Sequence, residues 1–161
     1  MLGGIMVDLK GDVQFGDRRP GTGYNCFMWK LWLILAMVWA APWTLLGLLA
    51  GLLALATGGG VQRVGKVVEF HGGWIDRILR WVPIAGGAAA MTLGHCVLGR
   101  TRADLHRSRR HELVHVAQYE RWGPMFVPAY LACSVWMWLR GRDSYLDNPF
   151  EVEAYDAEAT D

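Results

Sequence analysis

Read for hydrophobic and polar positions, the chain falls into three stretches. Residues 1–25 mix glycine with Asp8, Lys10, Asp12, Asp17, Arg18 and Arg19, contain the turn-like Arg19-Pro20-Gly21, and predict a mobile N-terminal arm. Residues 26–57 are apolar: no charged residue occurs from Leu31 to Gln62, and Thr44 is the one polar side chain of the run Leu31–Ala56. As one helix that run would extend about 39 Å, more than the roughly 30 Å of bilayer hydrocarbon, and it predicts a hydrophobic membrane segment. Pro42 either kinks one tilted helix or is the first residue of the second of two short helices, each too short to span alone. Trp29 and Trp32 beside Lys30 read as an interfacial anchor at one end, and Arg63 and Lys66 close the other. The run is longer and further along the chain than a secretory leader's apolar core, so cleavage is not expected. The competing reading, a helix pair in a soluble core, asks a small domain to cover more apolar surface than it can. Basic residues flank the segment equally, so its orientation is not legible.

Past Gly58-Gly59-Gly60 the pattern changes, and residues 61–161 form the third stretch. Val64–His71 is β-branched and partly alternating and reads as a strand; Met91–Leu98 reads as a second, and the two could pair antiparallel. Between them Trp74–Val82 has helical spacing. Thr101-Arg102-Ala103-Asp104 resembles a capping box and Gly123-Pro124 is a stop, which predicts a helix from about Arg102 to Trp122. Met125–Leu139, helical from Pro128, is short enough to pack in a core or lie at a membrane surface. Asn148-Pro149 opens a last helix bearing Glu151, Glu153, Asp156 and Glu158. The expected fold is therefore mainly α with a small antiparallel β-hairpin.

Composition narrows the function classes. A chain of 161 residues suits one small domain. With 16 Lys and Arg against 15 Asp and Glu it makes no electrostatic case for nucleic acid. Charged residues are 19% of the chain and mean hydropathy is +0.17, which argues against disorder and against a fully water-soluble protein. Cys26, Cys96 and Cys133 are too widely spaced for a metal knuckle and odd in number, so they read as small buried hydrophobes.

One motif carries chemistry. His111-Glu112-Leu113-Val114-His115 is an H-E-x-x-H on the predicted helix. Four residues are slightly more than one turn, so the two imidazoles share a face and can hold one metal ion, with Glu112 beside them to take a proton from water. A tetrahedral catalytic zinc needs a third protein ligand. No His follows His115, which leaves the carboxylates Glu151 and Glu153 on the last helix. Helical spacing sends these two to different faces, and Asn148 as N-cap would put Glu151 where a capping box satisfies a backbone N–H instead.

The motif resembles that of the gluzincin class of zinc metallopeptidases, in which a helix following H-E-x-x-H supplies a Glu. In several membrane-bound and bacterial members that Glu opens an E-x-x-A-D pattern, to which Glu151-Val152-Glu153-Ala154-Tyr155 is similar, with Tyr155 in place of Asp. The stretch from His111 to Tyr155 also resembles small bacterial membrane-associated H-E-x-x-H proteins. The resemblance covers about the last 60 residues. It implies Zn2+ held by His111, His115 and Glu151, Glu153 being the alternative ligand, and Glu112 as general base to a zinc-activated water that hydrolyses a peptide bond. It also implies a peptide or protein substrate, while the apolar segment 26–57 predicts a membrane location, with membrane lipid or a membrane-protein complex as partners. The missing Asp, which orients a ligand His, leaves that part to Tyr155 or Asp156.

Other residues are less specific. Arg100, Arg102, His106, Arg107, Arg109 and Arg110 form a basic cluster that reads as a solvated helix start or a contact for anionic headgroups. His71 and His95 read as ordinary polar residues, and Trp122, Tyr130, Trp136 and Trp138 as core or interface filling. Tyr155 and His106 are candidate oxyanion donors, and the edge of the Met91–Leu98 strand could hold an extended peptide. The rival function is a non-catalytic membrane subunit with a structural or vestigial zinc site, which the short chain and the imperfect Glu pattern favour.

Overall fold

The structure, a computed structural model, describes residues 5–7, 13–15, 31, 34–35, 37–82 and 86–159. Most of the 1–25 arm, the Trp29-Lys30 and Trp32 anchor, and Cys26 lie outside the described residues. Within the arm, β1 (Ile5–Val7) and β2 (Val13–Phe15) pair antiparallel.

A helix, α1 (Ala41–Ala56), follows a turn at Ala40 and carries Pro42 in its first turn, where a missing N–H costs nothing. Of the two sequence readings of Pro42, the start of a second helix is the observed one. α1 is about 24 Å long, and among the described residues no helix is long and apolar enough to cross a membrane. The expectation of a membrane-spanning segment is corrected accordingly: the chain breaks at Ala40 before the apolar run reaches bilayer length.

The expected small antiparallel hairpin is also corrected. Four strands, β3 (Gly60–Val64), β4 (Val67–His71), β5 (Ala90–Leu93) and β6 (Cys96–Gly99), form a mixed sheet in the order β3-β4-β6-β5. Each stretch read as one strand contains a two-residue turn. Val64 pairs with Val67 across Gly65-Lys66, and Leu93 with Cys96 across Gly94-His95. Gly65 and Gly94 have φ of +57° and +61°, the left-handed conformation such tight turns require. The two hairpins then join through a parallel β4–β6 pairing, Val68 opposite Cys96 and His71 opposite Gly99. That pairing needs a crossover, which contains helix α2 (Trp74–Arg80).

The helix α3 (Arg102–Trp122) has the boundaries its caps predict. The Thr101 hydroxyl accepts from Asp104 N at 3.0 Å, and Gly123 closes the helix with φ +55°. A 3-10 turn (Gly123–Met125) leads to α4 (Phe126–Leu139), and α5 (Pro149–Ala159) completes the chain.

Strand alternation sorts the core into two layers. Phe70, Cys96 and Leu98 face α1 and α2, packing with Ala54, Ile75 and Leu79. Val67 and Val97 face α3, against Leu105, Leu113 and Val116. A third cluster, Ala40, Tyr119, Phe126 and Phe150, ties the end of α3 to α4 and α5.

Candidate metal centre

From His111 to Glu120 every residue of α3 is buried, although five of the ten are polar. Such groups must find partners, and the faces of the helix divide them. Toward the sheet, Glu112 Oε2 accepts from the Thr92 hydroxyl of β5 at 2.7 Å. Glu120 pairs with Lys66 at 2.6 Å and with His95 at 3.0 Å. His95 thus takes the ordinary polar role read for it, in a buried hydrogen-bonding contact with Glu120. Toward α5, the Gln118 amide donates to Phe150 O and Glu153 Oε2 at 3.0 and 2.8 Å.

His111, His115 and Glu151 converge on one another. His111 Nε2 is 3.1 Å from His115 Nε2 and 3.1 Å from Glu151 Oε2, and His115 Nε2 is 3.4 Å from Glu151 Oε1. All three are buried, and they form a group that could hold a metal ion. The geometry fits: four ligands at about 2.0–2.1 Å from one ion stand about 3.3–3.4 Å apart along the edges of a tetrahedron. Glu151 Oε2 is buried without a hydrogen bond of its own, the oxygen a cation would satisfy.

The surroundings orient these donors. His115 Nδ1 is 2.8 Å from Gln118 Oε1, a bond that leaves Nε2 turned to the site. The Tyr130 hydroxyl donates to Glu151 Oε1 at 2.7 Å, and Glu158 Oε2 stands 3.9 Å from His111 Nδ1. Burial raises the Glu151 carboxyl, but His111, His115 and Tyr130 outweigh it and hold the group well below the usual carboxylate range. Burial likewise opposes charge on His115, yet the carboxylates of Glu151 and Glu112 together raise its pKa from 6.5 to about 9 in the metal-free site. Glu112 is raised, chiefly by burial.

Glu151 and Glu153 do separate onto different faces. The structure brings Glu151 to the imidazoles, while Glu153 accepts from Gln118 and from Arg121 at 2.8 Å each. The capping contact considered for Glu151 is not made: the Asn148 N–H donates to Tyr145 O at 3.0 Å, while Asn148 caps the helix itself, its Oδ1 accepting from Phe150 N at 3.0 Å. Tyr155 packs its ring 4.7 Å from that of His111, whereas Asp156 is solvent-exposed. Tyr130, Gln118 and Glu158 lie beside the donors, and no local motif marks them. Gln118, three residues past His115, shares its helix face by spacing alone, whereas Tyr130 and Glu158 carry no such signal until α4 and α5 are packed. In the basic cluster, Arg109 makes a bidentate pair with buried Glu69 at 2.8 and 2.9 Å, and Arg107 pairs with Asp104. His106 is exposed and outside the cleft lining.

The donors form the floor of a cleft of about 430 Å3. Its walls are largely apolar: Ala90, Met91 and Leu93 of β5 on one side, and Val127 and Leu131 of α4 with Tyr145 on the other. No protein-family model, curated protein or solved structure matches the chain.

Proposed function

We propose that the chain is a zinc-dependent peptide hydrolase of gluzincin type, with His111, His115 and Glu151 holding the ion and Glu112 acting as general base. The observation that carries this reading is the placement of Glu112. It lines the cleft beside the three donors, but among the described residues its one hydrogen-bonding side-chain partner is the neutral Thr92. A purely structural ion needs no such carboxylate. Two imidazoles and a carboxylate on a compact tetrahedral spacing suit zinc, and zinc when bound supplies the charge that acidifies a water and polarises a carbonyl.

The protein's own groups do the rest. Glu112, raised by burial, accepts a proton from water at the cleft floor and returns it to the leaving amine. Thr92 fixes the orientation of that carboxylate. β5 is an edge strand lining the cleft, so an extended peptide can add to it through backbone hydrogen bonds. Tyr145 lines the cleft, and its phenol, raised by burial and by a hydrogen bond with Tyr155, is protonated and is the donor we assign to developing negative charge on the carbonyl. Tyr145 replaces Tyr155 and His106 in this reading, because it lines the cleft.

The test is a digest of unstructured peptides by detergent-solubilised protein carrying one zinc per chain, read by mass spectrometry for new termini. Cleavage that falls about 10²–10⁴-fold in Glu112→Gln, with zinc retained, is the expected result. Equal cleavage in the variant, or none in a fully loaded wild type, returns the site to a structural role.

A further inference from the structure

We infer that α1 and α4 seat the molecule in the surface layer of a lipid bilayer, without crossing it, so that the cleft opens at the membrane. The first observation is that α1 is inside out for a soluble helix. It turns Gly47, Gly51 and Ala54 to the protein, while Leu45, Leu46, Leu49, Leu52 and Leu53 are exposed, Leu49 to 64%. A helix of a water-soluble domain buries its large apolar residues. The second is α4, of which Phe126 is the one buried residue. Leu131, Val135, Trp136, Trp138 and Leu139 face outward, Trp138 being 68% exposed.

The polar groups identify the occupant. On these helices the Thr44 hydroxyl donates to Ala40 O, the Trp43 indole to Pro124 O and the Tyr130 hydroxyl to Glu151, and Ser134 accepts from Asn148. All of these bonds turn inward, which hydrocarbon requires. A protein partner would instead meet about one hydrogen bond per 100–200 Å2, at anchors where Leu is under-represented. The indoles left outward, Trp136 and Trp138, sit at one end of α4, with the Arg140 guanidinium 4.4 Å over the Trp136 ring. Indoles beside a cation at the end of an apolar helix suit the headgroup level. At about 24 and 21 Å the two helices fall short of the roughly 30 Å of hydrocarbon.

The two surfaces adjoin at the cleft, whose lining takes Trp43 from α1 and Val127 and Leu131 from α4. Leu131 belongs both to that lining and to the exposed face. Where the hydrolase reading above holds, the substrate class is an apolar extended segment presented at the bilayer surface.

The experiment reconstitutes the full chain with phosphatidylcholine vesicles, with and without phosphatidylglycerol, and removes the detergent. Flotation and tryptophan quenching by brominated phosphatidylcholine are then read. The expected result is co-flotation with both compositions, and quenching stronger from bromines near the headgroup than near the bilayer centre. Leu49→Glu with Leu53→Glu, and separately Val135→Glu with Leu139→Glu, should cut the bound fraction at least tenfold while zinc content and helical circular dichroism are kept. A chain that stays off the vesicles as a discrete oligomer, which the same variants split, overturns the proposal in favour of a second copy as occupant. Stronger quenching from the bilayer centre overturns the surface placement. Zinc content and peptide cleavage are measured in detergent, so the hydrolase reading stands or falls apart from this result.

Discussion

At the scale of single residues, the centre depends on a division of labour along two helices. Positions 111 and 115 of α3 face α5, while 112 faces β5, so the proposed metal ligands and the proposed base lie on different sides of the helix. The same division separates Glu151 from Glu153 on α5 and makes them an internal control. Glu151→Gln should weaken zinc binding by more than the 10–100-fold typical of losing an outer partner, and Glu153→Gln should leave it within a few-fold, both read by competition with a chromophoric chelator. Reversal of that order would reassign the third ligand. Tyr130→Phe lies between them. It removes the hydroxyl that donates to Glu151 Oε1 but no proposed ligand, so affinity should fall about 10–100-fold with stoichiometry unchanged.

At the scale of elements, close approach and hidden turns decide the architecture. α1 lies so near the sheet that a Cβ on Gly51 would stand 2.4 Å from the Phe70 ring, itself held among Ala54, Ile75, Leu79 and Leu98. Gly51→Ala gains up to about 1 kcal/mol of helix propensity, but overpacking costs about 1–3 kcal/mol. A net loss of about 1 kcal/mol, near the middle of that difference, should lower the melting temperature by about 2–4 °C, while exposed Leu49→Ala changes stability by about 0.5 kcal/mol or less. Equal effects would mean that α1 does not pack this closely. The contrast also explains what the sequence conveyed. The boundaries of α3 were legible because Thr101, Asp104 and Gly123 act locally, and the H-E-x-x-H because helical spacing alone aligns two imidazoles. The sheet was not, because one Gly inside Met91–Leu98 reads equally as part of a strand or as a turn, and the parallel β4–β6 pairing depends on contacts about thirty residues apart. Tyr130 read as core filling for the same reason: its hydroxyl finds Glu151 only after α4 and α5 are packed.

At the scale of the whole molecule, the centre bridges the layer that α3 shares with the sheet to the separate helix α5, so occupancy and folding are linked. At a free zinc concentration 100 times the dissociation constant, the bound ion stabilises the fold by about 2.7 kcal/mol, or about 6–10 °C in a chain of this length. That increment should vary with pH in a direction His115 sets. In the metal-free protein its pKa is raised from 6.5 to about 9, so the proton on His115 contributes stability that is fully present below 6.5 and lost as pH rises through 9. An ion on Nε2 displaces that proton, so the loaded protein does not lose the contribution. Zinc must compete with the proton below pH 9, and its affinity should rise about tenfold per pH unit between 7 and 9 and then level off. At fixed zinc, the difference in melting temperature between loaded and metal-free protein should therefore widen from pH 6.5 to 9 and be constant above it. His115→Ala should abolish both the difference and its pH dependence. A gap that stays constant across that window in the wild type would mean that the ion binds without displacing the His115 proton, and so not through Nε2.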